Sequence, residues 1–249
     1  MIKSLIFIVL ILSNTLVAND IKIAVAANVS YAIKDLVKEF NKTYPNISVK
    51  VILGSSGKLT AQISHGAPYG LFMSANMKYP NNLYNKKIAI SKPIVYAYGS
   101  LALLSRKKQD FSKGIDLLKN KNIKKIAVAN PKTAPYGIAT AQALKNFGIY
   151  NDITKKFIYG ESISQTVSYA VTAADIGFIA KSSLYSPIML KYKKDINWDE
   201  VDSNLYTPIS QGMVMLKNGK NNTDINLFYN FILSKKAKEI LNDFGYKVP

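Results

Sequence analysis

Four short stretches place small polar residues where a strand should give way to a helix: Ala26-Ala27-Asn28-Val29-Ser30, Gly54-Ser55-Ser56-Gly57, Ala134-Pro135-Tyr136-Gly137 and Glu161-Ser162-Ile163-Ser164. A helix start leaves its first N–H groups without intrahelical acceptors, and Asn amides and Ser hydroxyls can add donors beside them. Donors so arranged bind anions. The helix dipole contributes about 0.3–1 kcal/mol at each start, and each hydrogen bond to a charged group about 1.5–3 kcal/mol. Several converging on one dianion hold it without a buried lysine. Asn and Ser are also ordinary N-caps, and any one of these turns taken alone reads better as a cap. Two of the same design in each half of the chain move the balance toward binding, because ligands of open α/β sheets sit at the carboxyl ends of the strands.

Enzyme chemistry finds less to work with. Gly54-Ser55-Ser56-Gly57-Lys58 faintly echoes a phosphate loop, but Leu53 and Ile52 stand where the first glycine should be and Leu59 follows Lys58, so the G-x-x-x-x-G-K-[ST] spacing fails. No G-x-S-x-G nucleophile elbow occurs. His65 is the single histidine and cysteine is absent, which leaves little for a metal site or a Ser-His pair. Placed before Gly66-Ala67-Pro68, His65 reads as a helix-end residue with a capping or surface role. Asp35, Glu39, Asp175, Asp199, Glu200 and Asp202 form no recognisable pair, though they leave a carboxylate-only hydrolase as the rival from another class.

The elements that position the four turns follow from hydrophobic spacing. Residues 21–26 read as an apolar strand and 31–44 as a helix with Ala32, Ile33, Leu36, Val37 and Phe40 on one face. Pro45-Asn46 ends it, 47–53 alternates as a strand, 58–64 reads as a helix and 70–74 as a buried strand. The grammar restarts with a strand at 125–129, a helix at 135–147, a strand at 157–159, a helix at 164–172 and a strand at 176–180. Strand–helix–strand repetition favours mostly parallel sheets covered by helices. The apolar runs 93–104 and 206–216 can carry the chain across and back, and 224–244 reads as one closing helix. The expectation is an α/β protein of two lobes joined by two crossing strands, with residues 19–97 and 208–249 in one lobe and 98–207 in the other.

Residues 1–18 stand apart. Lys3, the apolar run 5–12 and Leu16-Val17-Ala18 have the layout of a secretory signal peptide cleaved near Ala18, and the apolar run is too short for a membrane span. Asn19 occupies the place where a lipid-anchored protein needs cysteine, so free diffusion in a periplasm is expected. The formal charge is +18, and +17 without Lys3. Nucleic acid is not the implied partner, because Arg106 is the only arginine and the lysines are scattered, whereas phosphate and base recognition favour arginine's planar fork. The positive balance reads as a solvated lysine surface that weakly attracts anions.

The residues also carry a family resemblance. The segment 23–30, the block Gly54-Ser55-Ser56-Gly57-Lys58-Leu59-Thr60-Ala61-Gln62-Ile63 with Gly66-Ala67-Pro68 and Leu71-Phe72-Met73-Ser74-Ala75, then Ala129-Asn130-Pro131, Ala134-Pro135-Tyr136-Gly137 and Asp175-Ile176-Gly177-Phe178-Ile179-Ala180, resemble in order the periplasmic molybdate-binding proteins of ABC importers. The resemblance spans the chain after residue 18, and its block 55–75 is the most specific. It implies a type II periplasmic-binding fold that closes like a hinge on molybdate or tungstate, with no cofactor, no catalysis, an inner-membrane ABC permease as partner and a monomeric state. It assigns side-chain donors to Asn28 and Ser56, main-chain N–H donors to Tyr136 and Ile163, and neighbouring places to Ala27 and Ser55. Two departures stand out. Some members have serine at Asn28, and some supply a tyrosine hydroxyl at Ala180, which Tyr136 would have to offset.

The remaining alternatives are a sulfate or phosphate binder and a sensor or adhesion module. Hydrogen phosphate carries a proton and profits from a buried carboxylate acceptor, for which the turns offer only Glu161.

Overall fold

The computed structural model describes residues 19–249; the segment 1–18, read above as a signal peptide, lies outside them. The first half contains β1 (Asn19–Ala26), α1 (Ile33–Thr43), β2 (Ile47–Gly54), α2 (Ser56–Ser64), β3 (Leu71–Met73), α3 (Lys78–Asn85) and β4 (Ile94–Gly99). The second half contains β5 (Leu101–Leu104), β6 (Ile126–Ala129), α4 (Pro135–Asn146), α5 (Tyr150–Ile153), β7 (Phe157–Gly160), α6 (Ile163–Thr172), β8 (Ile176–Ala180) and β9 (Trp198–Glu200). The chain ends with β10 (Ile209–Met215), α7 (Thr223–Leu233) and α8 (Lys235–Asp243). Among the described residues no helix is long and apolar enough to cross a membrane.

Two five-stranded sheets form, in the orders β2-β1-β3-β10-β4 and β7-β6-β8-β5-β9. In each, three parallel strands are followed by one strand antiparallel to both of its neighbours, so four of five strands run one way. The strand against the grain is a crossing strand in both cases. β5 enters the second sheet one residue after β4 leaves the first, and β10 brings the chain back. The run 93–104 is therefore two strands, split at Ser100, because each half pairs with a different sheet.

Packing follows the apolar spacing. α1 buries Ile33, Leu36 and Phe40, and Phe40 meets Phe228 of α7 edge-on at 5.0 Å between ring centroids. Burying such side chains contributes roughly 1.5–3 kcal/mol each. The carboxyl end thus seals the first sheet. Its last helix is not continuous as the spacing of residues 224–244 predicts. Ser234 has extended backbone (φ −69°, ψ 157°) and accepts from Ala237 N–H, so it ends α7 and caps α8. A serine cap offers the chain a local alternative to helix continuation, and the bend lets Ile225 and Leu241 both reach the same core.

Candidate functional site

The four turns meet. Ala27, Asn28, Ser55 and Ser56, from the carboxyl ends of β1 and β2, line one pocket with Tyr136 and Ile163, from the turns after β6 and β7. Each of the six is buried. The pocket is small, about 10 Å³, far below the roughly 300–1,000 Å³ of drug-sized ligand sites. Larger recesses of about 600 and 370 Å³ open beside Asp110. They are broad surface hollows edged by exposed Lys108, Lys113 and Lys121, and none of the residues lining them carries a buried polar atom left without a partner. The small pocket is the candidate site.

Local structure decides what each turn can offer. Residues 27–30 form a 3-10 turn ahead of α1, rather than running straight into an α-helix. Asn28 does not act as a cap. Its Nδ2 donates to Gln211 Oε1 at 2.8 Å and to Tyr246 Oη at 3.1 Å, while its Oδ1 has no partner among the described residues. Ser56 is the first residue of α2, and its Oγ accepts from Ala75 N–H at 3.0 Å, which leaves its O–H proton free to donate. Ser55 Oγ is buried and also without a partner. A buried polar atom left unpaired costs about 1–3 kcal/mol, so these orphans mark where a ligand is expected.

The second lobe contributes backbone. Pro135 opens α4, and Tyr136 follows at a position whose N–H has no intrahelical acceptor. Ile163 opens α6 in the same way, while Ser162 Oγ does cap that helix by accepting from Gln165 N–H at 3.3 Å. Of the serines and asparagines in the four turns, Ser162 thus has the capping role. The Tyr136 side chain runs to the end of β4: a Cβ on Gly99 would lie 2.1 Å from its hydroxyl. Ala180 is packed in the core at the end of β8 and is not among the pocket-lining residues.

Several contacts already tie the two lobes together around the pocket. Gly57 N–H donates to Thr133 O at 2.9 Å, Ser164 Oγ to Ala27 O at 2.7 Å and Ser182 Oγ to Asn28 O at 3.2 Å. Lys58 and Glu161 form a 2.6 Å ion pair across the rim, with both side chains more than half exposed. At that exposure the pair contributes no more than about 1 kcal/mol.

Beneath the pocket lies a set of residues whose part is not legible from local pattern: Gln211, Tyr96, Tyr246 and Ser182. Tyr96 Oη donates to Gln211 Oε1 at 2.9 Å, and Tyr246 Oη lies 2.8 Å from Asn28 O and 3.0 Å from Ser182 Oγ. Burial pushes the Tyr246 phenol up to about 12, with hydrogen bonds to Ser182, Asn28 and Gln211 pulling the other way. Burial likewise drives Tyr96 and Tyr136 well above the usual phenol value. All three remain neutral hydrogen-bonding groups at physiological pH. Ala75, Ala134 and Pro135 also line the pocket; they are small or apolar and set its size without adding charge. His65 closes α2 at its C-cap, exposed, with Nδ1 2.7 Å from Ala61 O.

A family model described as bacterial extracellular solute-binding protein matches residues 21–247. The chain belongs to that family. Membership makes it a binding protein and not an enzyme. Among relatives of these solute-binding proteins, the molybdate-binding protein ModA of Azotobacter vinelandii is 33% identical over 92% of this chain and 90% of its own length. The molybdate-binding protein ModA of Rhodobacter capsulatus is 32% identical over 92% of this chain and 88% of its own length. The solved structure of a periplasmic molybdate-binding protein from Azotobacter vinelandii superposes with a TM-score of 0.85 at 31% identity, covering 92% of this chain and 99% of that one. The sulfate-binding protein SubI of Mycobacterium tuberculosis shares the two-lobed fold with a TM-score of 0.74 at 12% identity, over 92% of this chain and 87% of that one. The architecture is common to binders of different solutes, so the choice of solute rests on the pocket.

Proposed function

We propose that this chain captures molybdate or tungstate between its two lobes in the periplasm and delivers it, as a monomer, to an inner-membrane ABC permease. The lobes are taken as residues 19–97 with 208–249, and 98–207. The observation that carries the reading is a small buried pocket in which unpartnered Ser55 Oγ, the free O–H of Ser56 and the amide of Asn28 face the N–H groups of Tyr136 and Ile163, with no charged side chain in the lining. A neutral cage of donors suits a fully deprotonated dianion. Hydrogen phosphate would find no carboxylate to accept its proton, because Glu161 is held at the rim by Lys58. The molybdate-binding relatives, similar over nine-tenths of the chain, support the same solute.

Calorimetric titration with molybdate, tungstate, sulfate and phosphate tests the assignment. A ligand that binds only the folded state stabilises it by about 2.7 kcal/mol at a hundredfold excess over Kd, so molybdate and tungstate are expected to raise Tm while sulfate leaves it unchanged. Equal shifts from all three anions would mean screening of the lysine surface and would overturn the reading.

Charge is expected to matter little to affinity. Lys58 is spent on an exposed ion pair and Lys132 has an exposed side chain. Lys58→Ala and Lys132→Ala should each change molybdate Kd by less than tenfold; a thousandfold loss in either would make a lysine a direct ligand.

A further inference from the structure

The Asn28 amide sits on a buried second amide. Gln211 lies on β10 at a register shift against β4, between its pairing with Ala97 and that of Gly212 with Val95. A bulge of this kind re-aims a side chain, and here it carries Gln211 to within hydrogen-bond reach of both Asn28 and Tyr96. The arrangement has one unbalanced feature: Asn28 Oδ1 and Gln211 Nε2 are both buried and both unpartnered.

Turning both amides over by 180° exchanges O for N without moving any heavy-atom position. Gln211 Nε2 would then donate to Asn28 Oδ1 across the same 2.8 Å and to Tyr96 Oη across the same 2.9 Å. Tyr246 Oη would donate to Asn28 Oδ1 across its 3.1 Å separation, while Ser182 Oγ continues to serve Asn28 O. The Asn28–Gln211, Gln211–Tyr96 and Asn28–Tyr246 contacts survive the exchange, the Tyr96 hydroxyl turning from donor to acceptor as its proton loses Gln211 Oε1, and the Asn28 Nδ2 group is released from the hinge. Its place is then the one now held by the orphaned Oδ1 of a pocket-lining residue.

We infer that Gln211 is a specificity-determining positioning residue: the Asn28–Gln211 amide pair has two orientations, one presenting an acceptor to the pocket and the other a donor, and an anion without protons selects the second. The inference rests on the oxyanion reading above. It makes Gln211, which contacts no ligand, the residue that biases the cage toward deprotonated anions over protonated ones. A glutamine can serve either orientation. An accept-only group in its place cannot, because it draws Asn28 Nδ2 toward itself and turns Oδ1 to the pocket.

The test compares parent, Gln211→Glu and Gln211→Leu at pH 8, with apo Tm recorded and Kd measured for molybdate and for phosphate. Gln211→Glu is expected to lose at least fiftyfold in molybdate affinity and at least tenfold in the molybdate-to-phosphate ratio. Gln211→Leu removes the partner without imposing an acceptor and should lose less than tenfold in molybdate affinity. Losses that are equal for both anions, leaving the ratio unchanged, would show a structural role only and overturn the inference. So would a folded Gln211→Glu that binds molybdate within threefold of the parent. Should Gln211→Glu not fold, Tyr96→Phe, which frees the Gln211 amide, lowers the same ratio at least threefold if the inference holds and leaves it unchanged otherwise. A parent protein that fails to bind molybdate sinks the functional reading and this inference together, whereas a binding parent with unaltered variants sinks the inference alone.

Discussion

Gly57→Ala is expected to weaken molybdate binding by at least a hundredfold while leaving the anion-free protein about as stable as the parent. Gly57 is the second residue of α2, and its N–H donates to Thr133 O of the other lobe at 2.9 Å. A Cβ at this position would lie 2.9 Å from that carbonyl oxygen and 3.0 Å from Thr133 Cα, both backbone atoms, and 2.8 Å from the Tyr79 hydroxyl. The tyrosine can swing away; the Thr133 backbone, one residue before the N-cap of α4, cannot move without moving the α4 start. The lobes must then stand further apart where they should grip the anion. Losing the two main-chain donors of the second lobe, at about 1.5–3 kcal/mol each, exceeds a hundredfold in Kd. Alanine meanwhile favours the helix by about 0.8–1 kcal/mol over glycine, which offsets the loss of the Gly57–Thr133 hydrogen bond, about 0.5–1.5 kcal/mol net, so Tm of the free protein should move little. Calorimetry beside a melting curve separates the two effects. An unchanged Kd would mean that the lobes need not approach at Gly57 for binding.

Much of this geometry is legible in the residues themselves. Period-2 and period-3.6 spacing locate β1, α1, β2, α4, α6 and β8 to within a few residues, because each buries a regular apolar face. Short elements with little apolar content escape the same reading. α3 carries Asn81, Asn82 and Asn85 around Pro80 and Leu83, and β9 is a three-residue edge strand, Trp198-Asp199-Glu200. The split at Ser100 is hidden because an apolar strand run does not say which sheet each half joins. The pocket is a mixed case. Nine of its ten residues come from strand-to-helix turns whose composition advertises them, yet the same composition advertises caps, and distance alone shows that Ser162 caps while Asn28 and Ser56 do not. Gln211 is 183 positions from Asn28 in sequence. Its one local signal is an amide buried within a mostly apolar strand, Ile209 to Met215, and nothing in that signal names its partner.

Asn28→Ala and Ser56→Ala are each expected to weaken molybdate binding by about 1.5–3 kcal/mol, the range for a hydrogen bond to a charged group, and to do so for reasons a melting curve can separate. Both substitutions also damage the free protein. Asn28→Ala removes the donor to Gln211 Oε1 but leaves that oxygen its bond from Tyr96, so the stability loss should stay near about 1 kcal/mol. Ser56→Ala strips the buried Ala75 N–H of its acceptor, a cost of about 1–3 kcal/mol. For a chain of this length each kcal/mol lowers Tm by roughly 2–4 °C. Ile163→Val supplies the opposite pattern. It deletes a buried methyl, costing about 0.5–1.5 kcal/mol of stability, while the peptide N–H that opens α6 stays in place, so Kd should move less than twofold. If the anion is held as proposed, the two alanine variants lose affinity out of proportion to their fall in Tm, and the valine variant loses Tm with its affinity intact. Alanine variants that melt lower yet bind molybdate as tightly as the parent would reduce Asn28 and Ser56 to structural residues of the hinge and the α2 start, and the anion would have to sit elsewhere.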